Sequence, residues 1–169
     1  MAMDKVEHSW NILLANLEWI RGSDTKATTI LTVLGIIIPL FITSDQNLVN
    51  NLTSNWLITV LLIAGLFSII SIFFSFKCLM PRFVKSPTPS ILFFGSIVKN
   101  FRNYHEYTDF LKERNLSKDT MEEELAELIY TNAAIADRKY RDVLWSFRFF
   151  VLTILLTLVA FLINLALLA

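Results

Sequence analysis

The sequence predicts an all-α integral membrane protein with three transmembrane helices, an N-terminal amphipathic helix, and a small helical cytoplasmic module continuous with the third span. Three observations lead there. Charged residues make up only 18% of the chain and hydrophobic ones 54%, with a mean hydropathy of +0.54, whereas a soluble domain carries about 25% charged residues. The apolar residues gather into long uncharged stretches, close to the roughly 20 residues that cross a bilayer. The basic residues are polarised: three of the fifteen Lys and Arg precede residue 27, none lies between 27 and 76, and twelve run from Lys77 to Arg148. Positive charge stays cytoplasmic. The N-terminus is therefore expected inside, residues 44–55 outside, residues 77–148 inside and the C-terminus outside, as in a multi-pass membrane protein.

The elements follow in order. Residues 1–26 form a cytoplasmic segment, in which Val6, Trp10, Leu13, Leu14 and Leu17 recur at helical spacing over residues 3–21. Gly22 and Ser23 are expected to break that helix, with Ser23 or Asp24 capping the next. The segment has no signal-peptide core, so the first span, 27–43, must direct its own insertion. It holds Gly35 and Pro39, and Lys26 stands at its inner mouth, where it can snorkel to the headgroups. The external loop 44–55 has no basic residue and carries a short glycosylation pattern at Asn51. The second span, 56–76, opens on Trp56, suited to the interfacial belt. Its Ser68, Ser71 and Ser75 share one face, the usual mark of helix packing in membranes; a water-lined pore face is the alternative. Cys78, the one cysteine, follows this span and is expected to be a buried thiol.

Residues 77–148 are the cytoplasmic module. Residues 77–90 hold three of the four prolines and read as an extended linker. An apolar run, ILFFGSI, is broken by Gly95. The stretch from 99 to 114 reads as a helix with Asn100 as its cap, and residues 115–117 as a turn. From 119 a helix capped by Asp119 or Thr120 presents Leu125, Leu128, Ile129, Ala136 and Tyr140 on one face. No Gly or Pro interrupts the chain from there to the third span, 149–169, so one helix of about 45–50 residues is expected, roughly 70 Å long.

Residues that carry catalysis are scarce. The two histidines are His8 and His105. His105 and Asp109 share a helix face, but two ligands do not make a metal site. Gly22, Gly35, Gly65 and Gly95 are too scattered for a phosphate-cradling loop. An enzyme, a cofactor and a nucleic-acid partner are not expected. The basic cluster Arg138, Lys139 and Arg141 around Tyr140 can hold a phosphate and stack on a base, or simply meet anionic lipid. Asp24 and Lys26 lie directly beneath a span, where charged residues are functional candidates. Asp24 can pair with Lys26 or with Arg138.

Three segments carry a resemblance. WIRGSDTKATTILTVLG is similar to the ADTKA segment that opens the first span of the Pycsar transmembrane effectors. SPTPSILFFGSI resembles their FFG segment, and ELAELIYTNAAIADRKYRDV their long helix ending in KY. The matches keep the family's order and span almost the whole chain. Ser23 stands where Ala is frequent, and Glu127-Leu128-Ile129 replaces a common Gln-Ile pair. The resemblance implies a membrane effector of bacterial antiphage defence. A neighbouring pyrimidine cyclase makes cyclic CMP or cyclic UMP, and the effector senses it and impairs the inner membrane, so that the infected cell dies.

The positions that match the family are Asp24, Thr25, Lys26, Phe94, Gly95, Lys139 and Tyr140. On this reading Lys26 or Lys139 meets the cyclic phosphate as a point charge. Phe94 or Tyr140 stacks on the pyrimidine, and Gly95 lets backbone approach the ligand. Asp24, Thr25 and Arg138 brace or couple the helices. Three helices from one chain cannot enclose a wide aqueous pore, so damage implies a homo-oligomer in the bilayer, with the serine face of the second span and Gly35 as its contacts. The alternatives are a ligand-independent holin-like or scaffold protein, and an effector that senses a cyclic oligonucleotide.

Overall fold

A computed structural model describes residues 2–43, 55–81, 94–113 and 118–168. The described residues form five helices and no strand: α1 (Ala2–Thr43), α2 (Asn55–Leu79), α3 (Phe94–Asn100), α4 (Tyr104–Glu113) and α5 (Lys118–Leu168). Among the described residues two stretches are long and apolar enough to cross a membrane, Trp56–Leu79 in α2 and Met121–Ile163 in α5. The span expected over 27–43 lies within α1 and is not one of these two; the side chains of its last residues fall outside the described set. The external loop with its Asn51 pattern, most of the proline-rich linker and the turn at 115–117 also lie outside the described residues.

Three local expectations are corrected. α1 does not break at Gly22 and Ser23 but runs on for 42 residues. A glycine inside a helix costs only about 1 kcal/mol against alanine, and Ser23 is packed to 2% exposure, so packing outweighs the local preference. Ser23 and Asp24 are therefore helix-interior residues, not caps. The stretch from 99 to 114 is likewise not one helix. α3 ends at Asn100 and α4 begins at Tyr104, capped by Asn103 rather than Asn100. Asn103 Oδ1 accepts the Glu106 amide at 2.9 Å, and Glu106 Oε2 reaches back to the Arg102 amide at 2.8 Å, which satisfies amides that a helix start leaves open. At the far end, α5 starts at Lys118 and reaches Leu168 without interruption, 51 residues in one helix.

The chain divides into two compact units. The first comprises Met1–Arg21 and Pro81–Asp137. Here Leu13 and Leu125 are buried, and Asn16 donates to the Ile129 carbonyl at 3.3 Å, which ties α1 to α5. Of the apolar face expected in α1, Leu13 is buried and Val6 and Leu17 are half-buried, while Trp10 and Leu14 are exposed. Phe101 packs against Tyr107 and Phe110 of α4.

The second unit comprises Gly22–Met80 and Arg138–Ala169. Its core is Ala27, Ile30, Leu34, Cys78 and Val143, drawn from α1, α2 and α5. The serine face of α2 turns inward onto α5. One assignment satisfies all three hydroxyls around Ser146. Ser75 donates to Ser146 Oγ (2.6 Å), Ser146 to the Ser71 carbonyl (2.9 Å), and Ser71 to the Ser146 carbonyl (2.9 Å). One helical level further out Ser68 and Thr153 lie 3.5 Å apart. Small side chains let the two backbones approach, and the hydroxyls then bond across the seam. Phe67, Phe74, Trp145 and Phe149 stack beside it. This face is consumed within one chain, so it is neither a pore lining nor free for contacts between copies.

Ser146 has no exposed surface and sits at the centre of this seam. Replacement by alanine should cost about 1 kcal/mol, and by leucine roughly 1–3 kcal/mol because the site is already filled. Thermal unfolding in detergent checks this; a Ser146→Leu protein that melts with the wild type would rule out the seam.

Candidate functional site

The site is built where the charged residues of α1, α2 and α5 come to one level of the second unit. α1 delivers Asp24 and Lys26. Thr28, Thr29 and Thr32 donate to the carbonyls four residues earlier, each at 2.9 Å. These bonds satisfy hydroxyls at the start of the apolar half of α1. α5 delivers Lys139, Tyr140 and Asp142, and α2 delivers Lys77 and Cys78.

Lys139 is turned into the bundle and is only 6% exposed. Its ammonium lies 2.5 Å from Asp24 Oδ1. Asp24 therefore pairs with Lys139, and neither Lys26 nor Arg138 takes that place. The reason is helical phase: Lys139 sits on the inward face of α5, and Arg138, one residue earlier, points outward and is exposed. The Asp24 side chain keeps 35% of its surface, so the pair is closed on the lysine side and open on the carboxylate side. Cys78 closes the inner side with no exposed surface. Its sulfur is 3.5 Å from the Lys139 carbonyl, 3.8 Å from that of Ser23 and 3.9 Å from Asp24 Oδ1. One thiol thus touches both helices that the ion pair joins.

A second ion pair accompanies the first. Lys77 Nζ lies 3.2 Å from Asp142 Oδ1, with the carboxylate side chain 9% exposed. Lys77 also lies over the Phe74 ring at 5.5 Å. Lys139 and Asp142 stand three residues apart on one face of α5, so a single face ties α5 to α1 through a lysine and to α2 through an aspartate. Every buried side-chain nitrogen and oxygen among the described residues has a hydrogen-bond partner. That is the condition under which buried charge is tolerated.

Lys26 and Tyr140 form the outward part of the site. The Lys26 ammonium stands 5.6 Å from the Tyr140 ring centroid, within cation–π range, and both residues are exposed. They border a groove of about 430 Å³ between α1 and α5, whose body is lined by Ile30, Val33, Leu144 and Phe147. Thr25 lies at the same mouth. Of the residues the sequence singles out, the structure brings together Asp24, Thr25, Lys26, Lys139 and Tyr140. Gly95 and the backbone of Phe94 belong to the first unit, at the start of α3; the Phe94 side chain is outside the described residues. Sequence reasoning missed Lys77, Asp142 and the position of Cys78. The spacing of Lys139 and Asp142 was the available signal, because i,i+3 residues share a helix face.

A family model for the Pycsar effector protein domain matches residues 8–166, which takes in every residue of this site. The chain belongs to the Pycsar effector family. No curated protein and no solved structure matches it. Membership makes it an antiphage effector. For a Pycsar effector, the family implies a cyclic-nucleotide signal and a partner cyclase, and the two apolar helices agree with placement in a membrane.

Removing one partner of a buried pair leaves the other charge uncompensated. Asp24→Asn should destabilise this Pycsar effector by about 2–3 kcal/mol, below the full cost for a buried pair because Asp24 is partly solvated. Lys26→Gln should cost no more than about 1 kcal/mol. Denaturant unfolding in detergent orders the two; equal effects would contradict the difference in burial.

Proposed function

We propose that this effector is activated by a cyclic pyrimidine mononucleotide, cyclic CMP or cyclic UMP, and then oligomerises and impairs the bacterial inner membrane, killing the infected cell. Three helices cross the membrane in this reading: residues 27–43 of α1, then α2, then the outer part of α5. The N-terminus is cytoplasmic and the C-terminus external. The observation that carries the proposal is the adjacency of two pairs. Lys26 over Tyr140 is a cation beside an aromatic face, the chemistry that takes a phosphate and stacks on a base. Asp24 with Lys139, two residues and one residue away along the same helices, is the buried tie between α1 and α5.

In this mechanism Lys26 meets the cyclic phosphate and Tyr140 the pyrimidine. Lys139 acts as a positioning residue, since Asp24 already occupies its ammonium. A ligand shifts a conformational equilibrium only by its difference in affinity for the two states. Insertion between Lys26 and Tyr140 alters the α1–α5 spacing that the Asp24–Lys139 pair holds, and so favours the active arrangement. The new contacts between copies lie on the exposed face of α1 at Gly35 and Ile36, where the space beside Gly35 is open. Glycine lets a second helix approach closely in a membrane.

The test is growth arrest in cells that carry the effector with or without a pyrimidine cyclase, together with binding of cyclic CMP, cyclic UMP and cyclic dinucleotides to the purified protein. Wild type should arrest growth only with the cyclase. Lys26→Gln and Tyr140→Ala should insert normally, bind the mononucleotide at least roughly tenfold more weakly and leave growth intact. Lys139→Ala should also lose killing. Arrest without any cyclase would point to a ligand-independent membrane protein, and binding of dinucleotides alone to a different signal.

A further inference from the structure

We infer that the groove between α1 and α5 is a binding site for one inner-leaflet phospholipid with an anionic headgroup, its acyl chain in the groove and its phosphate at Lys26. The groove is polar toward one end, and Thr29, one turn further in, already donates its hydroxyl to the Thr25 carbonyl at 2.9 Å. Thr25, Lys26 and Tyr140 stand at its mouth, and Val33, Leu144 and Phe147 line the body. Along the same seam a second recess of about 270 Å³ begins at Leu34 and Thr153 and continues past Ile37. The hydroxyls there are already spent: Thr153 donates to the Phe149 carbonyl at 3.0 Å and Thr157 to that of Thr153 at 2.8 Å. They offer a ligand no open donor, so the recess is effectively apolar.

From Thr25 to Ile37 the helix rises roughly 18 Å at 1.5 Å per residue, about the depth of one leaflet of a 30 Å hydrocarbon core. A cationic mouth and two apolar recesses that succeed one another along α1 and α5 over about one leaflet match a single phospholipid. A soluble nucleotide is polar throughout and does not match the body of the slot. Charge decides the headgroup. The Asp24 carboxylate beside the mouth is matched by Lys139, which leaves the Lys26 ammonium, held only over the Tyr140 ring among the described residues, to meet an anion. The lipid phosphate and the proposed cyclic nucleotide meet the same Lys26 ammonium, so the lipid holds the mouth at rest and a nucleotide competes with its headgroup; lipid binding is measured with no nucleotide present and is tested apart from that reading.

The experiment is native mass spectrometry of the full chain, purified in detergent and offered an equal mixture of phosphatidylglycerol and phosphatidylcholine. Wild type should retain one lipid, with phosphatidylglycerol favoured about fivefold, the factor one lysine contributes beside anionic lipid. Lys26→Gln should keep a bound lipid but lose the preference. Val33→Trp, which fills the slot, should lose the lipid while melting as a monodisperse protein. Equal retention of the two lipids by wild type overturns the site, as does full retention by Val33→Trp or a groove occupied by a second copy of the chain. If Val33→Trp does not fold, the loss of preference in Lys26→Gln decides alone.

Discussion

The second unit is organised around the buried pair of Asp24 and Lys139. A lysine ammonium taken almost wholly out of water is expensive, and a single carboxylate at close range is what makes its position tolerable. That requirement fixes more than two side chains. It sets the register of α1 against α5 and brings Lys26 beside Tyr140. It also places the Ser23 and Lys139 carbonyls on either side of the Cys78 thiol. The apolar core of Ala27, Ile30, Leu34 and Val143 follows immediately along the same two helices. Dispersion and burial there are non-directional, and the ion pair gives them one register.

α2 is joined by different chemistry. Its contacts to α5 are a column of hydroxyls about Ser146, closed toward the charged level by Lys77 and Asp142. Hydroxyl bonds across a membrane seam are individually weak, about 0.6 kcal/mol on average. The α2–α5 contact therefore draws on several small terms, and the α1–α5 contact on an apolar core with one buried ion pair that is costly to break. A perturbation at Lys26 or Tyr140 acts next to that ion pair. The proposed ligand would act there, on how α1 sits against α5.

Much of this was legible in the sequence. Hydropathy and the charge asymmetry mark the apolar helices, and the unbroken run after residue 119 reads correctly as one long helix. The spacing of Ser68, Ser71 and Ser75 reads correctly as a packing face, and Asp24 and Lys26 stand out because charge at the edge of an apolar stretch needs a reason. The partner of Asp24 was not legible, because Arg138 and Lys139 are adjacent basic residues and only the phase of α5 decides which points inward. The helix break at Gly22 failed for a related reason: local propensity is worth about 1 kcal/mol, less than packing Ser23. Asn100 and Asn103 offered equal capping chemistry, and Glu106, three residues beyond Asn103, was the cue that separates them. The family was recognisable from short segments whose side chains converge only in the folded chain.

The most direct measurement of the Asp24–Lys139 tie uses Cys78, whose thiol has no exposed surface. Maleimide labelling of the purified protein should be slow in the wild type and fast in Asp24→Asn and Lys139→Ala. It should be slow again when the charges are exchanged in the double variant Asp24→Lys with Lys139→Asp. Single variants that protect Cys78 as well as the wild type would contradict a bundle held in register by this pair.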